Sequence, residues 1–281
     1  MATSATISKY LDQYAIIPGT VPSIEGQWDH VLVVPCLDES PDFIERYRQA
    51  LTKTSLLLIL VLNRPPTAVK TCNDRVRNHL RSFSRSKLRS GYDLFEVNAN
   101  VSLLLIDTDT LEGPTPVKQG VGRARRIGCD LALHLITEGQ VDSQWICSGD
   151  ADACWSDVLF DQAWPSAASA VTLPFTHLPT DDQQLSEATL LYELRLHHYV
   201  LQLMAINSSY AFHTLGSACA FNAEAYAAVR GMPLRSAAED FYILNKLAKV
   251  APVHRATGLM VTIETRTSSR VPFGTGPAVQ K

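Results

Sequence analysis

Short, unbroken apolar runs set between longer stretches of helical spacing constrain this chain more than any other feature. The runs lie at residues 30–35, 55–62, 101–106 and 144–147. They are rich in Val, Leu and Ile and show little alternation, which is how strands buried on both faces read. Between them, residues 42–53, 72–88 and 123–137 place apolar side chains at helical intervals. Strand, helix, strand, helix predicts right-handed crossovers and a mainly parallel sheet with helices on both faces, an α/β fold. In such sheets ligands sit beyond the C-terminal ends of the strands.

The later half reads differently. A strand is predicted at 168–174, a long helix at 184–206, a short extended piece at 216–221 and helices at 222–230 and 239–250. Further apolar stretches follow around Val253 and at 259–263. With 46% hydrophobic and 19% charged residues in 281, there is enough apolar material for a large core. Neither repeat nor Pro/Gly linker divides the chain, so one domain over 1–281 is expected. Two halves are expected within it, about 28–150 and about 151–281.

Charge and cysteine usage narrow the function. A net charge of −3 offers no broad basic field for nucleic acid. The basic run RVRNHLRSFSRSKLR, residues 75–89, reads either as a solvated helix face or as a local anionic contact. The longest strongly apolar run, 56–62, falls far short of the ~20 residues a membrane-spanning helix needs. The six cysteines form no CxxC pair, and the opening residues lack the basic start and apolar run of a secretory leader. A cytoplasmic location is the expectation.

Three segments carry candidate chemistry. In WICSGDADACW an apolar run ends just before Asp150 and Asp152. Carboxylates two apart beyond a strand can face one hard cation, Mg²⁺ or Mn²⁺, which takes oxygen ligands and shares them with phosphates. The bland reading is a polar turn. In KQGVGRARRIGCDLAL, Lys118, Gly122 and Arg123 surround a helix start, where backbone N–H groups favour anions. Cations there oppose the helix dipole and so call for a reason such as a diphosphate. In SAAEDFYILNKLAK, Glu239 and Asp240 open a helix. They either complement its dipole or supply a general base for an acceptor hydroxyl.

Taken in order, these segments resemble the family 2 glycosyltransferases, whose fold is the nucleotide-sugar-binding type called GT-A. HVLVVPCLDES resembles the family's first strand with its Pro-containing acidic loop, and LLLILVLNRP its second strand and base-reading loop. VGRARRIGCDLA, SGDADA and AAEDFYIL resemble its Gly…Ala-Arg-Asn-x-Gly, DxD and Glu-Asp motifs. HTLGSACAFNAEAYAAVRGMP is similar to its acceptor-side segment. The tail ETRTSSRVPFGTG resembles an uncharacterised bacterial subgroup. The resemblance implies that Asp152 holds the metal, with Asp150 on the donor ribose or on the metal through water. It makes about 28–150 a nucleotide-sugar-binding half, with Pro35, Asp38, Glu39 and Asn63 near the nucleoside, and about 151–281 an acceptor-binding half. Asp240 would be the base of an inverting transfer from a nucleotide-diphosphate sugar, with Glu239 as its neighbour, and His254 a further possible metal ligand. Asn63 and Arg126 depart from the family's usual Asp and Asn. Arg266 and Arg270 could grip an anionic group on a small or soluble acceptor.

Two other readings compete. LLLIDTDTLEG resembles the nucleophile motif of haloacid dehalogenase-like phosphatases, with Asp107 attacking phosphorus and Asp109 as acid/base. That family opens on its nucleophile strand, whereas two strand–helix units precede Asp107. The third reading is a catalytically inactive sugar-nucleotide-binding protein.

Overall fold

Four of the apolar runs lie side by side as parallel strands. The computed structural model describes residues 4–89 and 91–267. Helix α1 (Ala5–Gln13) and an irregular segment lead into β1 (His30–Cys36), α2 (Asp42–Ala50) and β2 (Leu56–Leu62). After α3 (Asp74–Leu80) come β3 (Ser84–Arg89), β4 (Tyr92–Glu96) and β5 (Val101–Asp107). Then follow α4 (Thr108–Leu111), α5 (Gly120–Thr137) and β6 (Trp145–Ser148). The remainder comprises β7 (Ala153–Cys154), α6 (Asp157–Phe160), β8 (Ala170–Thr172), β9 (Phe175–Leu178) and α7 (Gln183–Ala205). Last are β10 (Cys219–Asn222), α8 (Ala223–Ala228), α9 (Glu239–Leu247), β11 (Val253–Arg255) and β12 (Val261–Glu264).

Among the described residues a nine-stranded sheet runs β11-β8-β10-β6-β1-β2-β5-β4-β3, beside a small sheet β7-β12-β9. Its centre, β6-β1-β2-β5, is parallel throughout. Antiparallel strands flank that centre, with β10 beside β6 and β4 beside β5. The large, mostly parallel α/β sheet expected from the apolar runs is thus present. Pleating sorts the side chains into two cores. Val31, Val33, Ile59 and Val61 face one side with α5, and Leu32, Val34, Leu58 and Leu60 face the other with α2. Complete burial of each such side chain contributes about 1.5–3 kcal/mol.

One expected helix ends early. The basic run predicted to be helical over 72–88 forms α3 only to Leu80, and Ser84–Arg89 then pairs antiparallel with β4 as an edge strand. Arg and Lys are what a sheet edge carries to discourage pairing with other chains. The same composition also reads as a solvated helix.

The strand order fixes where a ligand can sit. From β1 the chain builds outward through β2 to β5, then crosses back to place β6 on the other side of β1. The two directions part between β1 and β6, which opens a crevice at their C-terminal ends. Pro35 fits this geometry. Val33 accepts from Gly149 N on the β6 side, so the N–H that Pro35 lacks would point the same way. The β1–β6 pairing ends at Val33–Ser148, and no ladder bond is lost.

Candidate active site

The crevice is organised by one buried guanidinium. α5 lies across the sheet because Gly128 lets it approach: a Cβ there would stand 2.3 Å from Val33 Cγ1. Arg125 falls three residues earlier on the same face and points under the crevice. Its Nη1 donates to Ser148 Oγ (2.7 Å) and to the carbonyls of Gly149 (2.9 Å) and Gly216 (3.0 Å). Its Nη2 donates to Asp150 Oδ1 (2.7 Å) and its Nε to Glu239 Oε1 (3.1 Å). One side chain therefore ties together the ends of β6, the loop before β10 and the start of α9. Such a charge is tolerable in an interior only when paired and hydrogen-bonded on every side.

Asp240 joins this cluster through Gly216, whose carbonyl Arg125 also binds. Its Oδ2 accepts from Gly216 N (2.9 Å) and its Oδ1 from Phe241 N (2.7 Å). Burial pushes its carboxyl above the ordinary range, against the pull of Arg125 and of the two backbone donors. Burial also pushes up Glu239, again against Arg125. It raises Asp150 to about 6, with Asp152 adding to the rise and Arg125 opposing it. The backbone entering α9 is strained: Ala238 has φ 58 and ψ 22 and offers no side-chain cap. A left-handed non-glycine residue beside a candidate catalytic group is where such strain collects.

The second carboxylate of the pair has a different cation. Glu264 N donates to Asp152 O (2.8 Å), which seats the end of β12 beside the Asp152 loop. Two residues on, Arg266 reaches back. Its Nε donates to Asp152 Oδ2 (3.0 Å), and its Nη2 lies 2.7 Å from the same oxygen. It also forks onto both carboxylate oxygens of Glu39. Glu39, after β1, and Asp152, after β6, thus converge on one positive charge. The oxygen-only chemistry at that point suits a hard divalent cation. Among the described residues no three His, Cys, Asp or Glu side chains cluster around a common point. A metal there would therefore take most of its shell from phosphate and water, and would need Arg266 to let go.

Other residues singled out by sequence are placed less centrally. Asp38 is exposed at φ 50; its N–H donates to Asn73 Oδ1 (2.8 Å) and its carboxylate meets Arg75. Asn63 is buried at the end of β2, its carbonyl accepting from Asn73 Nδ2 (3.0 Å). Lys118 is exposed on the loop before α5, and Arg123 is turned onto Glu112 and Gln119. Gly122 leaves no space for a phosphate cradle. A Cβ there would meet the Pro233 carbonyl at 2.5 Å and the Arg235 backbone at 2.6 Å, so this glycine lets the approach to α9 pack on α5. Arg126 holds the carbonyls of Tyr14 (2.7 Å) and Met232 (3.2 Å).

His254 is not brought to the pair. Register carries it through Val171 and Ala220 to Cys147. That puts it three strand spacings, roughly 14 Å, across the sheet from β6. Arg270 lies outside the described residues. Asp107 and Asp109 are also accounted for: Arg77 forks onto Asp107 (2.9 and 3.0 Å) and Arg64 onto Asp109 (2.9 and 2.8 Å). Neither is an open nucleophile, so the phosphatase reading gains nothing from the structure.

The sequence matches no protein family profile and no curated protein. Solved structures with a similar course of chain include a mannosyltransferase from Pyrobaculum calidifontis in complex with GDP-Man and Mn²⁺. The identity is 16% and the TM-score 0.48, over 91% of this chain and 61% of that one. A mycobacterial protein is 11% identical (TM-score 0.40, 94% and 69% covered). The bifunctional glycosyltransferase WbbM is 10% identical (TM-score 0.37, 85% and 40% covered). The chain thus spans less than two thirds of the length of the mannosyltransferase.

Proposed function

We propose that this chain transfers a sugar from a nucleotide-diphosphate donor to an acceptor hydroxyl, with inversion. The observation that carries the reading is the convergence of Asp150, Asp152, Glu39, Glu239 and Asp240 on the crevice between β1 and β6. Crevices at that position are where α/β sheets take nucleotides. The nucleoside would lie along the β1 and β2 ends, near Asp38 and Asn63, with the diphosphate toward Asp152. Mg²⁺ or Mn²⁺, held by Asp152 with Asp150 or Glu39 close by, would neutralise the departing diphosphate. The work is expected in the cytoplasm; among the described residues no helix is long and apolar enough to cross a membrane.

Asp240 is the base in this reading. Two backbone donors fix both its oxygens, and burial raises its proton affinity, which favours taking a proton from a hydroxyl. Glu239 lies one residue away, clamped by Arg125, and so positions the turn without needing to react. The inactive-binder alternative is supported by no comparable observation, because a binder has no use for a buried carboxylate of raised proton affinity beside the crevice.

Asp240→Asn tests the reading. It retains shape and one acceptor oxygen but removes the base. Turnover should fall roughly 10²-fold or more, while nucleotide-sugar affinity, measured by calorimetry, should hold. Near-normal turnover would return Asp240 to the role of a helix-dipole partner.

A further inference from the structure

One buried hydroxyl lacks a partner, and it lies against the turn that carries Asp150 and Asp152. Tyr47 is on the inward face of α2 with Phe43 and Ile44, and it packs in the core on that side of the sheet. The residue is 1% exposed. Its Oη makes no hydrogen bond to any described residue. A buried hydroxyl left unbonded forfeits its hydration with no return, and phenylalanine would fill the same space without that penalty. Either a buried water or a second position of the neighbouring chain completes such a group.

The surroundings favour the neighbouring chain. A Cβ on Gly149, the residue before Asp150, would stand 3.2 Å from Tyr47 Oη, 3.3 Å from Leu32 Cδ1 and 3.5 Å from Trp155 Nε1. Trp155 Nε1 already donates to the Ser217 carbonyl (3.0 Å). A water seated there would meet one uncommitted polar atom among these three neighbours, fewer than the roughly two to four that hold a buried water. The residue before Tyr47 already grips the turn: Arg46 Nη2 donates to the Ala151 carbonyl (2.8 Å). Thus α2 reaches the turn through two consecutive residues, one bonded and one not. The turn has acceptors to offer. Arg125 takes Asp150 Oδ1 and Arg266 takes Asp152 Oδ2, while no described residue donates to Asp150 Oδ2 or Asp152 Oδ1. Burial raises the phenol well above its ordinary pKa, with Cys154, Asp150 and Asp152 adding and Arg46 opposing, so Oη keeps its proton and stays a donor.

We infer that Tyr47 is a positioning residue, whose Oη donates to the free carboxylate oxygen of Asp150 or Asp152 once Arg266 has released Asp152 to a divalent cation. The inference rests on the proposed reading of that pair as the seat of a metal-bound diphosphate. Carboxylates that hold a metal are themselves hydrogen-bonded, and loss of such a partner weakens metal binding roughly 10- to 100-fold. The bond belongs to the loaded protein alone, which accounts for a hydroxyl left unbonded while Arg266 still holds Asp152.

Tyr47→Phe tests this, with two readouts expected to move independently. Mn²⁺ is titrated calorimetrically into the full chain in the presence of GDP and, separately, of UDP. The variant should bind Mn²⁺ about tenfold more weakly than the parent or worse. Its thermal midpoint without metal or nucleotide should equal or exceed the parent's, because only an unbonded hydroxyl is removed. Equal Mn²⁺ affinity in parent and variant overturns the inference and leaves Oη to a buried water. A midpoint lowered without metal overturns it too, since the hydroxyl is then already bonded in the unloaded chain. If the parent itself binds Mn²⁺ with neither nucleotide, the metal reading of the carboxylate pair fails and the inference falls with it. That failure shows in the parent, whereas failure of the inference alone shows only in the variant.

Discussion

Arg125 and Arg266 divide the two donor-side carboxylates between them, and the division has different consequences for each. Arg125 is almost wholly enclosed by its acceptors. Arg125→Leu would leave Glu239 buried without its cation and the Gly149 carbonyl without the Arg125 donor, a loss on the scale of about 3–5 kcal/mol. Urea unfolding measures it; a loss below about 1 kcal/mol would mean that the pairing contributes little. Arg266 lies nearer the surface, at the end of a strand, and competes for the oxygens a metal would use. Arg266→Gln should therefore bind Mn²⁺ alone about tenfold more tightly than the parent in a calorimetric titration, and Asp152→Ala should not bind it. Equal affinity in parent and Gln variant would show that the arginine exerts no competition. The carboxylates of the crevice were legible in sequence because acids after a strand and at a helix start are unusual enough to notice. Arg125 was not: it sits in a run of arginines, and only its helical phase, in line with Gly128, Cys129 and Ala132, sets it apart. Gly122 misled for the opposite reason. A glycine needed for close packing of backbone is identical in sequence to one needed for close approach of a ligand.

At the level of elements, the buried strands and the long helices were readable because each carries one periodicity over its whole length. The β3–β4 hairpin was not, because a charged edge strand has no apolar face to alternate. His254 is a related failure: sequence distance from Asp240 is short, but β11 pairs with β8 at the far side of the sheet. The packing of α7 on β9 carries its own titration. His213 stands edge-on to Phe175 (5.1 Å) and to His197 (4.8 Å). Burial lowers its pKa from 6.5 to about 4, helped by His197 and Arg255 and opposed by Glu193. The folded form thus resists protonation that the unfolded chain accepts, so stability present above pH 6.5 is lost as pH falls toward 4. His213→Phe, which keeps a ring in place, should flatten that part of the stability–pH curve. An unchanged slope in denaturation between pH 7 and 4.5 would assign the acid sensitivity to other groups.

Across the whole molecule, the order of the four parallel strands decides where a ligand can enter, since it alone opens the crevice beside β1. What sequence could not supply was the belt that crosses the back of the sheet. Within residues 4–27 only α1 carries a periodicity, and the segment takes its place from distant partners. Tyr10 Oη donates to Asp130 Oδ1 (2.6 Å), Ile16 N donates to Asp130 Oδ2 (2.8 Å) and Tyr226 Oη shares Oδ1 (2.8 Å). Tyr92 Oη closes on the Pro18 carbonyl (2.8 Å). The belt is therefore made first and docked last. Until α8 has left the ribosome, Tyr10 lacks the Tyr226 ring that it meets edge-on. At about 5–20 residues per second the wait is on the order of ten to forty seconds. For that interval the nascent chain displays the Tyr10 face of α1 to whatever chaperone reaches it.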